Sequence, residues 1–354
     1  MASRPVQGWA ETCFKPLRRE DVMFEADSVK VTVLVENWVD MLLPDQASPL
    51  DGDDQHCVSR YGLIEHFDHK LIPPQAENGL SLLVEATKGR HILRVLFDVG
   101  LTGKVLKHNM KVLGVDPGSI DHVVISHGHP DHFGGIHRFL ELAGRRVPVA
   151  THHDAELPRY VMLADGRMST VYNSAFTFAQ IEASGGAPVL ARDSLDLGLG
   201  VHTTGEIPRR VPFEAAAPPF QVGAPGMYQV SEGGQVRRDE VMDEMGLVID
   251  VKGEGLVVLT GCAHAGVINT IEQARRICGE KPIRAVMGGF HLGFPTTPKE
   301  NVGLTAAAFR ELDVRTVMPM HCSGLRTHAH LADDPHYVQP AAGTVLRFGA
   351  SGKP

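Results

Sequence analysis

The chain has 354 residues, 43% of them apolar and 21% charged, with a formal net charge of −8. That length and apolar content allow one large domain or two modest ones, with a core that needs no covalent staples. The negative balance argues against a protein that tracks a phosphate backbone, which needs a basic face; it leaves room for a local basic pocket holding one small anion. The five cysteines, Cys13, Cys57, Cys262, Cys278 and Cys322, show no disulfide-framework spacing and fit a reducing compartment. No apolar run approaches the ~20 residues of a membrane span, and the first residues carry no apolar leader core. The expectation is a cytoplasmic protein with a small-molecule substrate and neither a membrane nor a nucleic-acid partner. Homo-oligomerisation is left open.

In chain order, residues 1–28 read as an N-terminal extension and 29–354 as a single domain. VKVTVLVENWV (29–39) is rich in β-branched residues and alternates as a strand does. GLSLLVEA (79–86) and HILRVLFDVG (91–100) follow, and the three together predict an antiparallel meander. KVLKHNMKVLGVD (104–116) has apolar residues at helical spacing with Gly114 as its stop. DHVVIS (121–126) is a short apolar strand, FGGIHRFLELAG (133–144) a helix, and VPVATH (147–152) a strand. The stretch of about 155–245, rich in Gly, Pro and Ala, reads as short strands and a long loop inserted over a site. MGLVIDVKGEGLVVLTGC (245–262) predicts a hairpin turning at KGEG. A helix over 265–279, a strand over 283–293, a helix over 297–313 and a strand over 314–324 complete the pattern, with one more strand in TVLRFG near the end. Histidines recur where strands stop.

Nineteen histidines are many for this length, and clustering separates the informative ones from the rest. SHGHPDHFGG (126–135) places His127, His129, Asp131 and His132 within six residues, directly after an apolar strand. Imidazole nitrogens and a carboxylate suit zinc, iron, manganese or cobalt. Alternate residues of an extended segment face the same way, so His127 and His129 can share one ion. Asp131 and His132 lie past the bend and can turn toward a second. Gly128, Gly134 and Gly135 permit the tight path.

HxHxDH after a short strand resembles the metallo-β-lactamase superfamily. LFDVG (96–100) resembles the strand upstream of that motif, and VVLTGC (257–262) and VMPMHC (317–322) resemble two later strands of the family; the whole likeness spans roughly residues 29–325. LTGCAHAGVINTIEQA, AVMGGFHL, MPMHCSG, ENGLSLLVEA and TGEIPR resemble the branch of metal-dependent hydrolases that includes the methanopterin-precursor (dihydropterin/ribofuranosylaminobenzene phosphate) synthase. The resemblance implies an α/β fold of the αββα sandwich type, two mixed sheets flanked by helices. It implies that Asp98 supports the metal loop, that Cys262 takes the bridging position and that His321 is a ligand. Better-known hydrolases of the family draw a third histidine from a GHT loop; here that region offers TGEIPR (204–209), and His202 just before it is not assigned. His264 and His291 are the alternatives, and the count of one or two ions stays open.

The function expected is hydrolysis of a small-molecule ester, lactone, amide or phosphoester by metal-activated water, with zinc as the first choice of ion and iron or manganese as alternatives. Asp131 is the residue placed to orient or deprotonate that water. A synthase or transferase forming a C–C or C–N conjugate is the runner-up; a non-catalytic metal-binding or redox protein is the reading from another class. Arg209, with Arg210 beside it, is a candidate for a substrate phosphate or carboxylate. Cys322, next to His321, reads as structural or as a support behind the ligands rather than as a ligand itself. Of His152 and His153 at most one can reach the site, since neighbours in a strand face opposite sides. Asp243 and Glu244 read as exposed turn carboxylates near the site, and His56, His66 and His69 as surface residues.

Overall fold

The computed structural model describes residues 15–16, 25–46, 58–62, 72–163, 165–215, 226–230, 234–294 and 297–349. Cys13, Cys57, His56, His66 and His69 lie outside them.

Two mixed sheets make the centre. One has eight strands, in spatial order Val58–Ser59, Val345–Gly349, Ser28–Val35, Ser81–Lys88, His91–Phe97, His122–Val124, Val147–Thr151 and Gly186–Leu190. The other has seven: Lys15–Pro16, Leu195–Gly198, Val201–Thr203, Leu247–Val251, Gly255–Thr260, Ile283–Gly289 and Val317–Met320. Each sheet is antiparallel over its first strands and parallel over its last ones, the change falling after His91–Phe97 in one and after Gly255–Thr260 in the other. The predicted meander and the predicted hairpin at KGEG are both present.

Alternation assigns the side chains to layers. Val31, Val33, Leu82, Val84, Val95 and Phe97 of the first sheet pack with Leu247, Ile249, Val257, Leu259, Ala285 and Met287 of the second, forming the core between the sheets. The intervening residues Leu34, Leu83, Leu96 and Val123 face outward onto Leu106, Met110, Ile136, Phe139 and Leu140 of the covering helices. Val248, Val258 and Val286 of the second sheet do the same against Val267, Ile271, Ala274, Val302, Ala306 and Phe309. Strands covered on both faces must be apolar on both, which is why several read as continuous apolar runs rather than alternating ones. The result is the expected αββα sandwich.

Three elements differ from the sequence reading. The helix expected over 133–144 is two, Pro130–Phe133 and Ile136–Ala143, because the chain must bend at Gly134 while His132 points inward. The stretch 155–245 is not one long loop among the described residues. Gly186–Leu190 completes the first sheet and Leu195–Thr203 extends the second, while Arg159–Met162, Gly226–Val230 and Val236–Arg238 form a separate three-stranded sheet. Residues 314–324 give only a four-residue strand, followed by a turn and the helix Gly324–Leu331, which the sequence reading did not contain. The N-terminal extension contributes Lys15–Pro16 to the edge of the second sheet. No helix of the described residues is long and apolar enough to cross a membrane.

Candidate metal centre

The carboxyl ends of the parallel strands from both sheets meet at one edge. His91–Phe97 delivers Asp98, His122–Val124 the segment from Ser126 to His132, Gly255–Thr260 the segment Gly261–His264, Ile283–Gly289 His291, and Val317–Met320 His321. Asp98, Ala263, His291 and His321 all have positive φ, between 47° and 59°. Non-glycine residues rarely adopt that conformation, and such strain gathers where side chains are being aimed.

Two clusters of donor atoms result, each within 4.8 Å of one another: His127, His129 and His264 in one, Asp131, His132 and His321 in the other. Cys262 joins them, since it groups with His127 and His132 on one side and with His321 and Cys322 on the other. The His127 ring centroid lies 4.2 Å from that of His132 and 4.9 Å from that of His264. His291 packs its ring 4.2 Å from His264 and stacks on Phe294, but it belongs to no donor cluster among the described residues.

His132, His127 and His321 are each aimed by the nitrogen that faces away from the cluster. Asp98 accepts the Ser126 amide at 2.7 Å and its hydroxyl at 2.8 Å, and its Oδ2 sits 2.6 Å from His132 Nδ1. His132 Nε2 therefore turns toward Cys262 Sγ, 3.1 Å away. His127 Nδ1 lies 2.9 Å from Ser126 Oγ. His321 Nδ1 lies 3.1 Å from Asn37 Oδ1, while its amide donates to the buried Glu36 carboxyl at 3.0 Å. Ligand histidines take this form, with the outer nitrogen tied and the inner one presented.

The inner nitrogens lack partners. His127 Nε2, His129 Nε2, His264 Nε2 and His321 Nε2 are buried without a hydrogen bond. His129 Nε2 lies 3.7 Å from Asp239, beyond hydrogen-bond reach, and His321 Nε2 lies 3.1 Å from the Asp131 carboxylate, a close charge contact without hydrogen-bond alignment. Four orphaned imidazole nitrogens in one place are costly unless something binds them, and a divalent cation fits that need. Burial and the neighbouring imidazoles hold His127 and His264 far below their usual titration range, so both stay neutral with lone pairs free. Burial pushes the Cys262 thiol well up, and Cys322 beside it adds to the effect. Burial also opposes charge on His132 and Asp131, but in this pair attraction wins. His132 rises to about 9 through Asp98 and Asp131, and Asp131 is held well below the carboxylate range by His132 and His321.

Several residues that build this site were not legible. Arg159 is fully buried and donates to Asp239 at 2.8 Å, to Asp243 at 2.6 Å and to the Ala155 carbonyl at 2.8 Å. Asp243 in turn accepts the Gly128 amide at 2.7 Å, so the three-stranded sheet is bolted to the turn that carries His127 and His129. Asp243 and Glu244 are buried, not exposed; Glu244 takes the amide of Ala265 at 2.7 Å. Gly128 and Gly134 are needed for close approach rather than for an unusual φ. A Cβ on the first would lie 2.1 Å from the Ala155 carbonyl oxygen, and on the second 2.0 Å from that of Leu101. His152 turns away from the cluster to Glu206, and His202, in the strand Val201–Thr203, lies beside Asp196. Arg209 donates to the Glu240 carbonyl.

The sequence pattern of the metallo-β-lactamase superfamily matches residues 75–274. A 7,8-dihydropterin-6-methyl-4-(β-D-ribofuranosyl)-aminobenzene-5'-phosphate synthase of Methanocaldococcus jannaschii is 29% identical over 295 residues, 82% of this chain and 97% of the relative. An uncharacterised protein of the same organism is 27% identical over 77% of this chain and 93% of its own length. Among solved structures, a metal-dependent hydrolase of the β-lactamase superfamily superposes with a TM-score of 0.63 at 24% identity, covering 92% of this chain and all of the other.

Proposed function

Because the chain belongs to the metallo-β-lactamase superfamily, we propose that it is a metal-dependent enzyme holding two ions and hydrolysing a small-molecule ester, lactone, amide or phosphoester. The carrying observation is the set of four buried, unpartnered imidazole nitrogens. His127, His129 and His264 would hold one ion and Asp131, His132 and His321 the other, with the Cys262 sulfur within reach of both groups. Bound there, the ions supply Lewis acidity and activate water near neutral pH. Asp131, with about a quarter of its side chain exposed, is the ionised group that orients water and accepts its proton. The donor chemistry suits zinc or iron, with manganese less favoured by the thiolate. His291 is a wall of the pocket, not a ligand. Arg209, tethered at the rim, meets the substrate's anionic group.

A second reading has its own support. One relative, matching 82% of this chain, is named as a synthase, and the same centre can activate a nucleophile other than water. The test begins with metal content per chain by elemental mass spectrometry. We expect about two ions in the wild type, loss of one in His264→Ala and no loss in His291→Ala; retention of both ions in His264→Ala removes the first cluster. Turnover is then measured on esters, lactones and phosphodiesters, in parallel with formation of the conjugate that the relative's name describes. Hydrolysis abolished by His129→Ala supports the first reading; conjugate formation without hydrolysis replaces it with the second.

A further inference from the structure

We infer that Cys322 is a metal ligand, giving the ion at Asp131, His132 and His321 a second thiolate alongside Cys262. The inference rests on the reading of the site as a metal centre and adds a residue that the HxHxDH pattern does not supply.

The geometry begins with the turn that follows Val317–Met320. His321 is held at a φ of 47° by the two hydrogen bonds from its amide to Glu36, at 3.0 and 3.1 Å. Ser323 then locks the turn from both sides: its hydroxyl donates to the Met320 carbonyl at 2.7 Å and accepts the Phe290 amide at 3.0 Å. The Cys322 carbonyl is fixed by the Gly293 amide at 3.1 Å. From this pinned turn the Cys322 side chain lies toward Cys262, its Sγ 3.5 Å from the Cys262 carbonyl oxygen.

The neighbouring strand leaves room for it. A Cβ on Gly289 would lie 2.6 Å from Cys322 Sγ and 3.0 Å from Cys262 Cα, so the absent side chain is what lets the two cysteines sit side by side. Cys262 Sγ, a His321 nitrogen and Cys322 Sγ are within 4.8 Å of one another. Donors bound to one ion at about 2.0–2.3 Å stand roughly 3–4 Å apart; small side-chain rotations close the difference. His321 Nε2, the nitrogen left over after Asn37 takes Nδ1, is one of the orphaned atoms. On binding, each sulfur forms a bond to the ion and releases its proton to solvent. Two thiolates bias that position toward zinc or iron over manganese or magnesium.

Cobalt(II) reports thiolate ligation directly through a near-ultraviolet charge-transfer band whose strength follows the number of sulfurs bound. With the chain reconstituted in cobalt, Cys322→Ser and Cys262→Ser each lose roughly half of the band and the double variant all of it. Cys278→Ser, altering a cysteine buried at the far end of its helix, keeps it whole. A band unchanged in Cys322→Ser overturns the inference and leaves the metal centre standing; absence of cobalt binding in every protein overturns both. A measurement on the wild type needs no variant to fold. Alkylation by iodoacetamide, mapped by mass spectrometry, slows at Cys322 by at least ~10-fold on zinc loading, since a coordinated thiolate is a poor nucleophile. Equal labelling of the metal-free and loaded protein overturns the inference.

Discussion

Asp98 shows how one carboxylate sets the chemistry of several groups at once. It offers no donor of its own to the clusters, yet by holding Ser126 and His132 Nδ1 it fixes which nitrogen of His132 faces inward. Asp98→Asn keeps the shape but loses the charge that favours this tautomer. The expected outcome is a loss of metal affinity of about 10–100-fold with little change in fold, read by competition with a chromophoric chelator while circular dichroism is unchanged. Affinity equal to wild type would mean that packing alone orients the ring. Glu36 and Asn37 play the corresponding part for His321, from the end of a strand whose sequence gives no hint of the site.

Among the elements, two joints hold the centre to the sandwich. The first is Arg159, at the start of the three-stranded sheet, with Asp239 and Asp243 as its paired carboxylates. Arg159→Met leaves two buried carboxylates without their cation. Such a break costs about 3–5 kcal/mol, seen as a lower urea midpoint, and it frees the Gly128 turn, so metal affinity falls as well. If stability holds, the pair is solvated in solution and the joint is not what fixes the turn. The second is Glu214, whose carboxylate accepts the Ile268 and Asn269 amides at 2.8 and 2.9 Å. It caps the helix Val267–Cys278 from a distant segment, directly after the turn that carries His264. Glu214→Ala removes that cap at an expected cost of about 1–2 kcal/mol, measured by chemical unfolding; a smaller value, within error of zero, would show that water replaces it.

For the molecule as a whole, the centre imposes a pH optimum on the metal-free protein. His291 is lowered to about 4, by burial first and then by His129 and His321. Its folded value lies below the unfolded one, so its contribution is present above about pH 6.5 and is lost as pH falls toward 4. His132, raised to about 9, works in the opposite sense. Its contribution is full below about pH 6.5 and is lost as pH rises through 9. Chelated protein is therefore expected to be most stable near pH 6.5, with midpoints falling on both sides. His291→Ala should flatten the acid limb by an amount on the order of 3 kcal/mol at most. An acid limb of undiminished slope in that variant assigns it to His127 and His264 instead.

The sequence by itself determined the sandwich and the heart of the site. Strands covered on both faces need apolar runs of strand length, and the chain has them at Ser28–Val35, Ser81–Phe97 and Leu247–Thr260. His127, His129, Asp131 and His132 are legible because a short-range motif carries its own geometry, four donors in six residues after a strand. What only the tertiary structure decided is everything that depends on which strand ends meet. That His264, and not His291, faces His127 and His129 follows from the turn after Gly255–Thr260. That Asp243 and Glu244 are buried supports rather than surface charges follows from Arg159 and from the Ala265 amide arriving from 84 and 21 residues away in sequence. Isolated carboxylates, arginines and cysteines read as solvated or structural until their partners are placed. A long-range hydrogen bond leaves no periodicity in a chain, and its partners become neighbours only when the two sheets close on each other.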